Sequence, residues 1–167
     1  MTIQGAVAFI IFFATSCQRT ARYDEKVTAE TAADFGRWQR DVQGSFKPAE
    51  WAEFEAALQD IKVRIIAHKE ASGAAGVNDA LRPKIHGRTV RDVLRQGYEA
   101  KLWRLNVELT ELEKMIKGNA TLQTNPGDSA SSDYLARKLR DQADRFRKVE
   151  EEIRAAEEAV KGLAARV

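Results

Sequence analysis

The sequence predicts an all-α protein: an antiparallel helical bundle or hairpin whose third and fourth helices are long and coiled-coil-like. Three observations carry that expectation. Ala, Glu, Arg, Lys and Leu dominate the 167 residues, and there are only three prolines. β-Branched residues never cluster in the alternating pattern of a half-buried strand. Apolar residues recur instead at intervals of three and four over long stretches, the period that places them on one helical face.

The first helix is predicted over residues 28–43, starting at a Thr28 cap and ending at Gly44, with Phe35, Trp38 and Val42 on one face. The second is predicted over 48–71. Pro48 suits a first helical position, where its missing N–H is not needed, and Glu50 sits at the positive end of the dipole. Trp51, Phe54, Leu58, Ile61 and Ile65 form its unbroken core stripe. Glu50, Glu53, Glu55 and Asp60 lie between the stripe positions and read as a solvated face, because nothing in their spacing specifies the burial or close pairing that acid–base chemistry needs.

Gly73, Gly76, Pro83 and Gly87 punctuate residues 72–88, which are expected to form a connection containing a short turn around Val77 to Leu81. A third helix is predicted over 89–117, with Thr89 as its cap and Asp92 reaching back. Its stripe is Val90, Leu94, Tyr98, Leu102, Leu105, Leu109, Leu112 and Ile116, the alternating three-four repeat of a coiled-coil seam. Residues 118–131 are small, polar and breaker-rich and are expected to form a loop. The last helix is predicted over 132–167 and packs back through Leu135, Leu139, Phe146, Val149, Ile153, Ala156, Val160, Leu163 and Val167. At about 1.5 Å per residue it is longer than the third helix. The excess must therefore pack on the first two helices or on a partner.

The chemical inventory is sparse. Lys and Arg total 27 against 25 Asp and Glu, a net charge of +2 that is too balanced to indicate a nucleic-acid partner. His68 and His86 have no Cys, Asp or Glu at a metal-ligand spacing. Ser72, Ser129, Ser131 and Ser132 lie in breaker-rich segments or at caps without a nucleophile elbow, and Gly73 and Gly76 lack the context of a phosphate loop. No catalytic, cofactor-binding or metal residue is expected, so the chain reads as a non-enzyme without cofactor or small-molecule substrate. Basic residues cluster at Arg82, Lys84, Arg88, Arg91 and Arg95, and again at Arg137, Lys138, Arg140, Arg145, Arg147 and Lys148. Neighbouring acids make both clusters solvated, paired faces. Trp103 lies off the main seam and implies a second packing face.

The amino terminus carries the address. Gly5 to Ala14 is an uncharged apolar run of ten residues, half of the roughly 20 needed to cross a bilayer. It suits the apolar core of an export signal. The small residues Ala14, Thr15 and Ser16 follow, and then Cys17, the only cysteine. This segment resembles the bacterial lipobox. The resemblance implies that residues 1–16 are a signal peptide and that lipidated Cys17 begins the mature chain. Residues 17–27 then read as a flexible tether and 28–117 as the main helical domain.

A second run, Ile85-His86-Gly87-Arg88-Thr89 followed by Asp92-Val93-Leu94, is similar to one found just before a helix in small bacterial lipoproteins of unknown function. No functional residue transfers from that group. The resemblance implies a bacterial cell envelope protein held by lipid on Cys17, on the periplasmic side of the outer membrane. Its partner would be another envelope protein or a second copy. The alternative is a structural lipoprotein that contacts the cell wall or anionic lipid through its basic helix faces.

Overall fold

The computed structural model describes residues 22–122 and 129–165, and five helices make up the architecture of these residues. They are α1 (Ala32–Gln43), α2 (Pro48–Ala67), α3 (Gly73–Ile85), α4 (Val90–Ala120) and α5 (Ser129–Ala165). Cys17 and the apolar run before it lie outside the described residues, as do residues 123–128 within the expected loop.

Residues 22–27 are not the free tether expected from their polarity, and residues 28–29 extend the same segment rather than starting the first helix. Val27 donates its N–H to the Arg88 carbonyl at 2.8 Å and accepts from the Gly87 N–H at 2.9 Å, while the Val90 N–H donates to the Glu25 carbonyl. An isolated antiparallel bridge thus joins Lys26 to Thr89. Tyr23, Val27 and Ala29 are buried, and the Ala29 N–H donates to His86 Nδ1 at 3.1 Å. The segment is a strap across the turn between α3 and α4. Three apolar side chains spaced four and two apart, hidden among charged ones, give too weak a periodic signal to separate a strap from a tether.

The strap also moves the first cap. Thr31, not Thr28, begins α1: its hydroxyl accepts from the Asp34 N–H at 3.1 Å and donates to the Asp34 carboxylate at 2.6 Å. Trp38 on α1 meets Trp51 and Phe54 on α2, and Phe46 in the intervening turn bridges Trp51 to Tyr23 of the strap. The start of α2 matches its local signals. Pro48 occupies its first turn, and the Glu50 carboxylate accepts from the Lys47 N–H at 3.0 Å.

α2 stops at Ala67, four residues before the expected end. Lys69 adopts a left-handed conformation, φ +56°, while its N–H and that of Glu70 return to the carbonyls of Ile66 and Ile65. This is a Schellman stop with lysine where glycine is usual, which is why nothing in the sequence marks it.

The expected connection at 72–88 contains a 13-residue helix instead, α3. Val77, Leu81 and Ile85, four apart, are all buried. Burial of three such side chains contributes roughly 1.5–3 kcal/mol each, against about 3 kcal/mol for Pro83 inside the helix. Packing outweighs the breaker. Gly87, at φ +72°, then turns the chain into α4.

α4 is the spine. Its amino-terminal half packs on α2, and Gly97 marks the closest approach: a Cβ there would stand 2.3 Å from Ala57 Cβ. Tyr98 donates to Glu53 at 2.6 Å, and Arg104 to Asp60 at 3.1 Å. Moving along α2 thus moves the same way along α4, so the two helices run in the same direction. α5 returns along α4, and Leu105, Leu109 and Leu112 interleave with Phe146, Val149 and Ile153 in a second core. At the far end Leu163 joins the first core. The excess length of α5 is therefore absorbed by the domain at that end. α4 extends to Ala120 and α5 begins at Ser129, so the loop is shorter than expected.

Candidate functional site

The polar residues that drew notice in the sequence do not converge. His68 meets Trp103 at a tilt, ring centroids 5.0 Å apart, at the end of α2, whereas His86 accepts from the strap. Among the described residues no group of three or more His, Cys, Asp or Glu side chains is placed to hold a metal. Trp103 is half-buried by that histidine contact, consistent with a second packing face. The run Ile85-His86-Gly87-Arg88-Thr89 serves the architecture. Ile85 is buried, His86, Gly87 and Arg88 bind the strap, and Thr89 caps α4 by accepting from the Asp92 N–H at 3.1 Å.

The first basic cluster is largely neutralised and the second only in part. Arg82 pairs with Asp79 at 2.7 Å, Lys84 with Glu70 at 2.8 Å and Arg91 with Asp24 at 3.0 Å, while Arg95 pairs with Asp92. On α5, Arg147 pairs with Asp144, and Arg145 reaches across the hairpin to Glu108 at 2.6 Å. Arg137 and Lys138 are exposed and have no ion-pair partner among the described residues.

The outer half of the hairpin carries several exposed large apolar side chains. The pairings between α2 and α4 end at Arg104, yet the α4 face that meets α2 continues outward. Val107 and Met115 lie on it, each 46% exposed, with Leu122 just beyond at 58%. Across the seam on α5, Tyr134 is 61% exposed. Between the two helices runs a groove of about 530 Å³, floored by Leu112 and walled by Tyr134, Arg137, Lys138, Asp141, Gln142 and Arg145. Soluble surfaces expose such side chains singly, whereas contact surfaces concentrate them, and four of the exposed large apolar side chains of the described residues lie on this half of the hairpin. The exposure of this face follows from helix lengths, since a 31-residue α4 outruns a 20-residue α2 that crosses only its first half. Seam spacing alone did not reveal it, because Val107 and Met115 fall between seam positions.

A second groove, about 860 Å³, lies at the corner of α2 and α3 and is lined by Val63, Ile66 and Val77 together with Lys62, Lys69 and Ser72. Glu70 also lines it, with its carboxylate paired to Lys84 at 2.8 Å.

No helix among the described residues is long and apolar enough to cross a membrane. Comparison with protein-family models, with curated proteins and with solved structures gives no match.

Proposed function

We propose that this chain is a lipid-anchored protein of the bacterial cell envelope, without catalytic activity, that presents its helical hairpin to a protein partner. The anchor reading rests on Cys17 and the apolar run before it. The observation that carries the binding role is the exposure of large apolar side chains, Val107 and Met115 on α4 and Tyr134 on α5, along the outer half of the hairpin.

The strap supports a particular mode of display. Packing begins by residue 23, so at most five or six residues separate Cys17 from the folded domain. Fully extended, five residues reach roughly 17 Å. A lipid on Cys17 would therefore hold the strap end of the domain close to the bilayer. α4 starts at that end, and its length of roughly 46 Å would carry the hairpin tip away from the surface.

The deciding experiment is the intact mass of the protein extracted from membranes of its own host, beside a Cys17→Ala version. A mass equal to residues 17–167 plus lipid, absent from the mutant, is the expected result. An unmodified full-length mass in the soluble fraction overturns the anchor.

A further inference from the structure

We infer that the groove at the corner of α2 and α3 holds a fatty acid, its acyl chain along the apolar floor and its carboxylate at two lysines. The inference goes beyond the reading proposed above and needs neither the hairpin nor Cys17.

The groove forms where the chain reverses from α2 into α3. Val63 and Ile66, three apart and so on one face of α2, are 40% and 55% exposed along it, and Val77 of α3 contributes to its floor. Two large apolar side chains left uncovered by the fold thus border one concave site instead of standing apart. Its volume of about 860 Å³ lies within the roughly 300–1,000 Å³ typical of small-molecule sites, which combine apolar walls with a few polar groups.

Charge narrows the occupant. Most cations around this part of the domain are paired: Arg82 with Asp79, Lys84 with Glu70, Arg91 with Asp24 and Arg104 with Asp60. Lys62 and Lys69 line the groove and form no ion pair among the described residues. Glu70 is the one acid among the lining residues, and Lys84 already holds its carboxylate. The groove therefore carries uncompensated positive charge beside an apolar floor. A lysine is a compact charge on a flexible stem, so both ammonium groups can converge on one anion while their methylene stems lie against the floor. An occupant that satisfies both features has one anionic end and one hydrocarbon chain. A neutral hydrocarbon leaves the lysines unmatched, and a zwitterionic lipid head brings a further cation beside them.

The test places a benzophenone amino acid at Val63 in the full chain, expressed in its own host, and reads the intact mass after irradiation. The expected product gains the mass of one fatty acid, and only with light. The same probe at Val107, on the hairpin, gains none. Lys62→Glu with Lys69→Glu should reduce the adduct roughly tenfold with helicity unchanged, because neither side chain forms an ion pair whose loss would disturb the fold. Arg137→Glu with Lys138→Glu, an equal change of charge on the hairpin, should leave the yield unaltered. An adduct with another polypeptide, with a second copy or with a diacyl phospholipid overturns the proposal, as does a yield indifferent to the lysine replacements or the absence of any light-dependent adduct. The anchor is read separately, since lipid on Cys17 is present with or without light: a chain that lacks it but still gains a fatty acid on irradiation loses the anchor reading and keeps this site.

Discussion

Asn119 Nδ2 donates to Gln142 Oε1 at 2.9 Å across the hairpin, and both residues occupy seam positions. On α5 the sequence Leu135, Leu139, Gln142, Phe146, Val149, Ile153, Ala156 alternates four and three without a break once Gln142 is counted. On α4, Asn119 follows Ile116 in the same rhythm. The apolar seam thus contains one polar layer, and a polar pair at such positions disfavours slipped registers because a slip would leave both amides unpaired in an apolar environment. Replacing either residue alone by Leu should cost about 1 kcal/mol, since the surviving amide loses its partner. Replacing both should restore stability or exceed that of the parent. Denaturant midpoints of the two single variants and the double variant check this, and additive losses would show that the amides act independently.

Gly97 is the position least able to accept a side chain. Ala there would place its Cβ 2.5 Å from Ala57 Cα, a backbone atom that can move only if α2 moves. Gly97→Ala should therefore destabilise by about 2–3 kcal/mol despite the better helix propensity of alanine. Thermal unfolding measures it. Gly118, with nothing near its Cβ direction, is the control, and Gly118→Ala should be neutral or slightly stabilising.

Lys69 holds a left-handed conformation that glycine adopts without steric cost. Lys69→Gly should raise stability by about 0.5–1 kcal/mol by relieving the stop at the end of α2. A lower melting temperature would show that the stem of the lysine side chain packs usefully there.

The strap should contribute to stability as part of the core. Val27 is buried between paired backbone groups of the α3–α4 turn, so Val27→Ala should cost about 2 kcal/mol. Hydrogen exchange of the Val27 and Val90 amides, donors to Arg88 and Glu25, should be slow in the parent and fast in the variant. Equal exchange in both would return residues 22–27 to the role of a tether.

Two cap carboxylates contribute to the response to acid. The Thr89 hydroxyl donates to Asp92 and holds its pKa below the ordinary aspartate range, assisted by the charge of Arg95; Thr31 does the same for Asp34. A carboxylate whose folded pKa is depressed binds protons more readily when unfolded, so its contribution is complete above the unfolded value near 4 and is lost as pH falls through the folded value. The melting temperature of Asp92→Asn should lie below that of the parent at pH 6, and the two should converge as acidification protonates Asp92 in the folded chain. A gap that widens on acidification would reverse the assignment.

Repeat patterns along the chain were enough to establish the helical class, the stripe of α2, the Thr89 cap and most of both seams, because each depends on neighbours within one or two turns. Tertiary structure decided the rest. α3 forms across a proline because Val77, Leu81 and Ile85 find a core contributed by distant residues, and α2 ends early at a left-handed lysine where no glycine marks the stop. The strap is ordered by hydrogen bonds to residues some sixty positions away, whose availability no local pattern announces. Periodicity shows that a helix has an apolar face; which stretches of that face are covered depends on the lengths and crossings of other helices. That is why the uncovered face at Val107 and Met115 emerges only when the chain is seen folded.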